Sequence, residues 1–396
     1  MKTVRSEVAK VLAADACSGC GMCVTLDSGL TMHTDAAGFA RPRETGAARE
    51  VPDAVRTFRR ACPGRRVGAQ RPRGARRHPL LGSYFGIWEA WAVDRDTRHR
   101  GSSGGVLTAL QGWLVESGLA SEITTAAADQ EKPTRTVPVT IMSRDDALAA
   151  AGSRYAPVAV AQTVPVAAGG MTAKPCEVAA VRAASVDDSA LPVLLSFFCA
   201  GTPSQSATDR LVRELGVEDG SHIDEMWYRG RGWPGRFTVR ADGREASADY
   251  EESWGRVLGP ATQWRCKICP DGVGESADIV AADSWQTDER GYPLFAESDG
   301  RSALVARTER GLALVQAAEA AGVIELRPLD PGHLVAAQPL QATRRRFLAA
   351  RLWGARLAGR PVPRFRGFGL MRLVLESPRL AIRTLRGTYR RVRESR

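Results

Sequence analysis

Cys17-Ser-Gly-Cys20-Gly-Met-Cys23, followed much later by Cys62-Pro63, is the stretch that decides how this chain begins. Three cysteines separated by two residues each, with a remote Cys-Pro, form the ligand pattern of a [4Fe–4S] cluster. Each two-residue step turns the backbone around one face of a cubane, and Gly19 and Gly21 let amide groups approach the sulfides. A zinc site is the alternative, but zinc favours paired C-x2-C elements over an overlapping triple. The spacing therefore predicts one iron–sulfur cluster held by Cys17, Cys20, Cys23 and Cys62.

The other four cysteines of the chain are Cys176, Cys199, Cys266 and Cys269. Only Cys266-Lys-Ile-Cys269 has ligand spacing, and a lone C-x2-C is also typical of a structural zinc knuckle. Cys176 and Cys199 are equally compatible with buried, inert thiols. Four remaining cysteines make one complete coordination set, so the spacing leaves a second cluster and these alternatives open.

Length and composition exclude several classes of protein. A chain of 396 residues with 44% hydrophobic content can form two or three domains. No segment approaches the roughly 20 consecutive apolar residues of a membrane span, and residues 1–8 lack the apolar core of a secretory signal. Cysteines in ligand spacing favour a reducing compartment over disulfides. We therefore expect a cytoplasmic protein.

Positive charge is concentrated at the C-terminal end. Residues 343–396 contain sixteen arginines and two glutamates, whereas the whole chain has a net charge of +11. Ser377-Pro378 is typical of a helix start. One face of the predicted helix is apolar (Ile382, Leu385, Tyr389, Val392), and the other carries Arg379, Arg383, Arg386, Arg390 and Arg393.

This pattern is typical of a basic amphipathic helix on an anionic membrane, here the inner face of the cell membrane. The alternative is an arginine face that docks onto the acidic body of the same protein. Nucleic acid is a less favoured partner, because nothing else in the sequence suggests base readout.

A strand, a glycine-rich loop and a helix start follow each other after residue 85. The strand-like Gly86–Val93 leads to Gly101-Ser-Ser-Gly-Gly105, and Val106–Val115 has helical periodicity. Loop N–H groups and the helix N-terminus, with about half a positive charge, can bind an anion or an electron-rich ring. An ordinary helix start after a tight turn is the alternative.

Five short motifs occur in a characteristic order along the body of the chain. They are Ser102-Ser-Gly-Gly105, Gly152-Ser-Arg-Tyr155, Phe198-Cys-Ala-Gly-Thr-Pro203, Gly232-Trp-Pro-Gly235 and Arg265-Cys-Lys-Ile-Cys-Pro-Asp271. In these motifs the chain, from about Phe85 to Leu326, resembles the coenzyme F420 hydrogenase/dehydrogenase beta-subunit family. That family includes beta subunits of F420-reducing hydrogenase, F420H2 dehydrogenase subunits and 7-hydroxymethyl chlorophyll a reductase.

The resemblance implies an FAD bound beside a second [4Fe–4S] cluster, which Cys176, Cys199, Cys266 and Cys269 would hold. It also implies a flavin role for Ser102, Ser103, Gly104, Gly105, Thr108, Ser153, Arg154, Tyr155, Asp283 and Trp285. The chain departs from the family at two places, with Ala282-Asp283-Ser-Trp285 for Gly-Asp-Ala-Trp and Ala173-Lys-Pro-Cys176 for Gly-x-Pro-Cys. Both departures replace a glycine hydrogen by a Cβ and keep the functional residue.

With this resemblance, the predicted fold is mixed α/β (α+β) with five parts. Residues 1–63 are a ferredoxin-type iron–sulfur module, and residues 64–84 are a basic linker. Residues 85–170 and 171–335 are the N- and C-terminal domains of the family, which form a two-part flavin domain with the second cluster. Residues 336–396 are a helical, basic tail that is expected to govern where the protein sits rather than its chemistry.

Two one-electron clusters and one flavin predict an oxidoreductase that connects one- and two-electron chemistry. Coenzyme F420 could deliver a hydride to the flavin, with electrons leaving through the first cluster to a redox partner subunit. Alternatively, reduced ferredoxin could feed the clusters for reduction of an organic substrate, such as a sugar or a lipid-linked glycan precursor. Arg154 is the candidate cation for stabilising reduced flavin, and a loop salt bridge is its alternative role. A protein of another class, binding a membrane or a partner with structural clusters, is the third possibility.

Overall fold

The structure is a computed structural model that describes residues 2–164, 167–285 and 299–394. Residues 286–298, inside the C-terminal domain predicted from the sequence, lie outside the described residues, as do residues 1, 165–166 and 395–396. The helices are α1 (Val4–Ala13), α2 (Ala54–Ala61), α3 (Arg95–Arg100), α4 (Val106–Glu116), α5 (Arg144–Ala149), α6 (Pro175–Ala184), α7 (Gln205–Glu214), α8 (Trp264–Lys267), α9 (Glu309–Ala320), α10 (Pro331–Ala336), α11 (Pro339–Arg346), α12 (Leu348–Leu357), α13 (Leu370–Leu375) and α14 (Pro378–Glu394).

The strands are β1 (Leu30–Thr34), β2 (Ala40–Glu44), β3 (Arg66–Gly68), β4 (Arg76–His78), β5 (Gly82–Tyr84), β6 (Gly86–Ala92), β7 (Ile123–Ala128), β8 (Thr136–Ile141), β9 (Gly170–Ala173), β10 (Val193–Phe197), β11 (Ile223–Trp227), β12 (Phe237–Ala241), β13 (Arg244–Ala248), β14 (Ile279–Asp283), β15 (Ser302–Ala306), β16 (Ile324–Pro328) and β17 (Arg364–Arg366). Short 3₁₀ turns occur at Val160–Gln162 and Asp188–Ala190, and a π-helical segment at Glu251–Leu258. The mixed α/β fold predicted from the sequence is confirmed.

An eight-stranded mixed sheet forms the centre of the molecule, in the order β16-β6-β15-β14-β10-β9-β7-β8. Strands β7, β9, β10 and β14 run parallel, and β15, β6 and β16 add antiparallel neighbours on one side. The carboxyl ends of the parallel strands therefore open on one edge of the sheet, where open α/β sheets bind their ligands.

Helices cover both faces of this sheet. Leu110 of α4 and Val315 of α9 pack on one face against Leu195 and Ile279. The other face packs Leu194 and Val280 against Val178 of α6. Neighbouring residues of one strand, such as Leu194 and Leu195, thus point into opposite cores, as the period of two of a β-strand requires.

The N-terminal part consists of α1, the β1–β2 hairpin and α2, around an apolar cluster that includes Val4 and Phe58. It is docked on the body, because Cys20, Met22 and Ala61 belong to the same apolar cluster as α6. The Arg60 guanidinium donates to the Ala183 carbonyl at 2.6 Å.

The segment predicted as a linker is folded. Strand β3 pairs in parallel with β17 of the C-terminal region, and β4 pairs with β5. Three-residue strands carry no readable period, so the arginine-, glycine- and proline-rich composition concealed them. The linker and the tail are therefore joined to each other by a small sheet.

The C-terminal region also differs from a detached tail. Its first arginines, Arg344 and Arg345, are buried, as are Leu348 and Ala355 of α12. The predicted helix start at Pro378 is confirmed, and α14 packs on α12 through Thr388 and Val392. It is the apolar face that docks, since Val392 is buried and Leu385 and Tyr389 are half-buried. The alternative prediction of a docked arginine face is wrong, because Arg379, Arg383, Arg386, Arg390 and Arg393 are exposed.

None of the helices in the described ranges has the length and apolar character needed to cross a bilayer.

Candidate functional site

The first cysteine set, Cys17, Cys20, Cys23 and Cys62, lines a single apolar cavity together with residues such as Val11, Met32 and Phe58. Three of its members lie on the loop after α1, and Cys62 directly follows α2. Gly19 and Gly21 have φ values of 72° and 88°, which L side chains rarely adopt. A Cβ on Gly21 would lie 2.8 Å from the Gln162 nitrogen, so this glycine also lets the loop approach the body.

The thiols of this set are held in a low-dielectric pocket. Burial raises the pKa of Cys20 to about 11 and raises the pKa values of Cys17, Cys23 and Cys62. Backbone N–H groups oppose this effect, with Gly19 N donating to Cys17 Sγ at 3.4 Å. Buried thiols that point into one cavity ionise readily only when a bound cation supplies positive charge.

The second cysteine set, Cys176, Cys199, Cys266 and Cys269, is brought together from three places in the chain. Cys176 lies in the first turn of α6, after β9; Cys199 follows β10; Cys266 lies in α8 and Cys269 just after it. Burial raises the pKa of Cys199 to about 12, and the charges of ionised Cys266 and Cys269 act in the same direction, whereas Arg344 opposes them. The Thr202 N–H donates to Cys266 Sγ at 3.4 Å.

The two cysteine sets are neighbours. Burial raises the pKa of Cys176, and ionised Glu177 and Cys20 add to this shift. Lys174 and Glu177 form a buried ion pair of 2.9 Å beside Cys176, and Glu177 also acts on Cys20. A buried ion pair therefore lies close to both sets.

Across residues 2–164, 167–285 and 299–394, no three or more His, Cys, Asp or Glu side chains are grouped so that they could hold a metal ion.

The predicted flavin loop lies at the same edge of the sheet. Strand pairing places Asp283 opposite Ser302, and Ser302 opposite Ala90, so the ends of β14, β15 and β6 meet there. Ser153 Oγ donates to Ser102 Oγ at 2.7 Å, and the Ser103 and Ser302 hydroxyls are 2.8 Å apart. Ser102, Ser103 and Ser153 are thus brought together, and Thr108 is buried in the first turn of α4.

Close packing around residue 104 requires a glycine there, and the sequence did not reveal this requirement. A Cβ on this residue would lie 2.5 Å from the Ala90 carbonyl oxygen and 2.9 Å from the Ser302 nitrogen. Its N–H donates to Ser302 Oγ at 3.0 Å. A larger residue at 104 would therefore disturb strand packing whether or not a ligand binds, so Gly104→Val is a poor probe of flavin binding.

Arg229 is the residue that connects the predicted site residues. Its guanidinium pairs with Asp283 at 2.6 Å, donates to the Ser102 carbonyl at 2.6 Å and reaches the Tyr155 hydroxyl at 3.4 Å. The rings of Trp233, Tyr250 and Trp285 surround it at 5.2 to 5.3 Å from their centroids.

We use the name Arg229 cluster for Arg229 and the residues around it, which are Ser102, Tyr155, Trp233, Tyr250, Asp283 and Trp285. Burial alone would lower the pKa of Arg229, but Asp283, Tyr155 and Tyr250 raise it, so this cation is permanent. In the sequence, the only motif in this region is Gly232-Trp-Pro-Gly235. The buried arginine three residues before it can be recognised only from its partners, which lie up to 127 residues away.

Arg154, the candidate cation for stabilising reduced flavin, makes its contacts with backbone carbonyls. Its guanidinium donates to the carbonyl oxygens of Met226, Pro133 and Arg135 at 2.8 to 2.9 Å. It also lies over the Tyr228 ring, 5.0 Å from the centroid. Burial lowers the pKa of Arg154. Its visible contacts hold the segment before β8 against β11, and none of them is an ion pair.

The fold, the sequence motifs and the site residues at the carboxyl ends of the parallel strands together define a class of protein. The family described as coenzyme F420 hydrogenase/dehydrogenase, beta subunit, matches this chain with its N-terminal part over residues 87–164 and with its C-terminal part over residues 168–332. The chain belongs to this family and is an oxidoreductase, so the resemblance inferred from the five motifs is confirmed.

Individual relatives are similar along most of their length. The chain is 27% identical over 270 residues to coenzyme F420 hydrogenase subunit beta of Methanothermobacter thermautotrophicus, covering 63% of this chain and 87% of the relative. It is 25% identical over 269 residues to the Methanosarcina barkeri subunit, covering 64% and 84%. A chain in a xenon-derivatised F420-reducing [NiFe] hydrogenase complex from Methanosarcina barkeri shares the fold, with a TM-score of 0.54, 24% identity and coverage of 69% and 93%.

Proposed function

We propose that this protein transfers electrons between a hydride carrier and a one-electron redox partner, using one FAD and two [4Fe–4S] clusters. The observation that carries the proposal is the order of residues along one sheet edge. The carboxyl ends of the adjacent parallel strands β9, β10 and β14 present Cys176, Cys199 and Asp283 in turn. The flavin loop, held by Arg229, is next to the last of them.

The residues present fit these groups. Each cysteine set supplies four buried or half-buried thiols. The thiols of the first set line a cavity, as a cluster with a volume of its own requires. No side chain caps the start of α4, where Gly105 has a φ of 69°, so first-turn N–H groups are available for an anionic or electron-rich partner. A flavin accepts or gives a hydride and exchanges single electrons, which is the chemistry that connects the two kinds of partner.

The roles of this chain's residues follow from their contacts. The first cysteine set would hold the cluster nearer the partner, and the second set the cluster nearer the flavin. Ser102, Ser103 and Ser153 would bind the flavin, and Arg229 with Asp283 would orient the loop that carries Ser102. Arg154 would stabilise the wall of this site rather than the reduced ring.

Cofactor content tests the proposal. Anaerobically purified protein should contain about eight irons and about eight labile sulfides per chain, as expected for two [4Fe–4S] clusters, together with one FAD. Iron, sulfide and flavin assays measure this directly. Four irons or stoichiometric zinc would remove the second cluster from the proposal, and absence of flavin would refute the hydride step.

The electron donor is decided by a second measurement on the same protein. Coenzyme F420H2 and reduced ferredoxin are supplied separately, and flavin bleaching is followed by absorbance. Rapid bleaching by F420H2 would support the electron-transfer direction toward a partner subunit. Reduction by ferredoxin alone would support the reductase of a sugar or lipid-linked glycan precursor.

Attachment to an anionic membrane is a second proposed activity, because one part of the C-terminal region exposes apolar and basic residues together. Met371, Leu375, Leu380 and Ile382 are 54%, 70%, 50% and 53% exposed. Leu375 and Leu380 lie on the two sides of the short turn between α13 and α14, and Arg379 and Arg383 next to them are exposed. The apolar contact thus shifts from the length of α14, as predicted from the sequence, to this turn.

The double variant Leu375→Ser/Leu380→Ser should bind anionic vesicles at least about tenfold more weakly, because burying a leucine in an apolar phase contributes about 1.5–3 kcal/mol. Met142→Ser is the control, since Met142 is 67% exposed but lies between β8 and α5. Co-sedimentation at increasing salt measures the binding. It should weaken because added salt shortens the electrostatic screening length, to roughly 8 Å at physiological ionic strength. A full-length protein that stays in the supernatant at low salt would assign this surface to a protein partner.

A further inference from the structure

We propose that Arg344, from the C-terminal region, is a positioning residue for the second cysteine set whose unneutralised charge raises the reduction potential of the cluster held there. The inference rests on the proposed function, because it presupposes that cluster. Arg344 lies beyond residue 332, where the match to the family ends. The C-terminal region would then act on the redox chemistry, in contrast to the prediction that it governs location alone.

The hydrogen bonds of Arg344 converge on the backbone that carries the cysteines. One guanidinium nitrogen donates to the Cys199 carbonyl at 2.7 Å, and the other donates to the Ala200 carbonyl at 2.8 Å. The second nitrogen is also 3.5 Å from the Cys266 carbonyl oxygen. Arg344 is only 5% exposed, so these contacts are made in a low-dielectric environment where hydrogen bonds to a charged group are strong.

The surroundings are shaped to admit this side chain. A Cβ on Gly272 would overlap the guanidinium of Arg344 and the amide oxygen of Gln341. The Gly272 carbonyl in turn accepts a hydrogen bond of 2.8 Å from the Cys199 N–H. Gln341 Oε1 accepts a hydrogen bond from Arg344 and fixes its orientation.

Among the described residues, Arg344 is a buried cation without a carboxylate partner, and its guanidinium contacts the backbone of the second set. Arg265, next to Cys266, is also buried, but its guanidinium donates to the Pro63 carbonyl beside the first set, at 3.0 and 3.2 Å. Lys174 is paired with Glu177 at 2.9 Å, and Arg345 with Glu275 at 2.5 Å. In the part of the chain that the structure describes, no carboxylate lies within ion-pair distance of Arg344. A buried positive charge favours the more negative, reduced state of an adjacent cluster, and charge and hydrogen bonding set the potentials of such clusters.

Three variants of the full-length protein test this inference. Arg344→Gln removes the charge and part of the hydrogen bonding. Gln341→Glu keeps Arg344 in place and puts a carboxylate against its guanidinium, which neutralises the charge with the hydrogen bonds retained. Arg346→Gln is the matched control, because Arg346 lies in the same helix but is exposed. The midpoint potential of each cluster is measured by redox titration followed with electron paramagnetic resonance.

We expect a more negative potential for the second cluster in Arg344→Gln and Gln341→Glu, with no shift in the first cluster and no shift in Arg346→Gln. An unchanged potential in cluster-loaded Gln341→Glu would overturn the inference, even if Arg344→Gln loses its cluster. Loss of the second cluster from Gln341→Glu would overturn it as well, because that variant should keep the hydrogen bonds. A wild-type protein with about four irons would instead refute the proposed function itself.

Discussion

Replacing Cys20 by alanine should lower the iron content from about eight to about four per chain, while the flavin and the second cluster remain. Cys20 lines the first cavity, and the second set is carried by elements after β9, β10 and in α8. Electron exchange with a one-electron partner should then fail, whereas flavin reduction by the hydride donor should persist. Iron analysis, flavin absorbance and stopped-flow reduction together measure this separation.

Two further variants make the Cys20 result specific. Cys199→Ala should remove the second cluster and leave the first. The two variants should therefore lose different electron paramagnetic resonance signals. Met22→Leu is the control, since Met22 lines the same cavity and packs on α6 but bears no thiol of the set. If well-folded Cys20→Ala also lost flavin reduction by its hydride donor, the assignment of the first cluster to the partner side would be wrong.

Residue spacing within short stretches predicted those parts of the site that a single stretch forms. The triple cysteine motif, the strand from Gly86, the loop at Ser102 and the helix from Val106 are all read from short stretches, and the structure has β6, α3–α4 and one four-cysteine cavity there. The resemblance implied a flavin role for Tyr155, Asp283 and Trp285, and the structure brings all three to Arg229. Their flavin role stays a prediction.

Long-range contacts explain what the sequence could not predict. The sixteen arginines after residue 342 look alike in sequence, yet Arg344 is 5% exposed and Arg379 lies on the surface. The difference arises because Arg344 finds carbonyl partners 78 to 145 residues earlier in the chain. The strand β3 inside the predicted linker was missed for a similar reason. It gains its partner only when β17, almost 300 residues later, folds beside it.

Arg229→Lys should weaken FAD binding by tenfold or more while leaving the iron content unchanged. Lysine keeps the positive charge beside Asp283 but lacks the planar fork that also reaches the Ser102 carbonyl and the Pro234 carbonyl. The loss of one hydrogen bond to a charged group costs about 1.5–3 kcal/mol, which is a tenfold change or more. Flavin titration of the deflavinated protein measures the affinity.

Removing the charge altogether should affect stability as well, because Asp283 would be left with an uncompensated carboxylate. Breaking a buried pair in this way costs about 3–5 kcal/mol, so Arg229→Met alone should unfold at a markedly lower temperature. Arg229→Met/Asp283→Leu removes both partners and should recover much of this stability, but it should still bind FAD poorly because Ser102 has lost its anchor. Arg236→Met is the control, since Arg236 is exposed and its guanidinium donates to Ser247 Oγ of β13 at 2.8 Å. A stable double variant with wild-type FAD affinity would show that the Arg229 cluster supports the fold and takes no part in positioning the flavin.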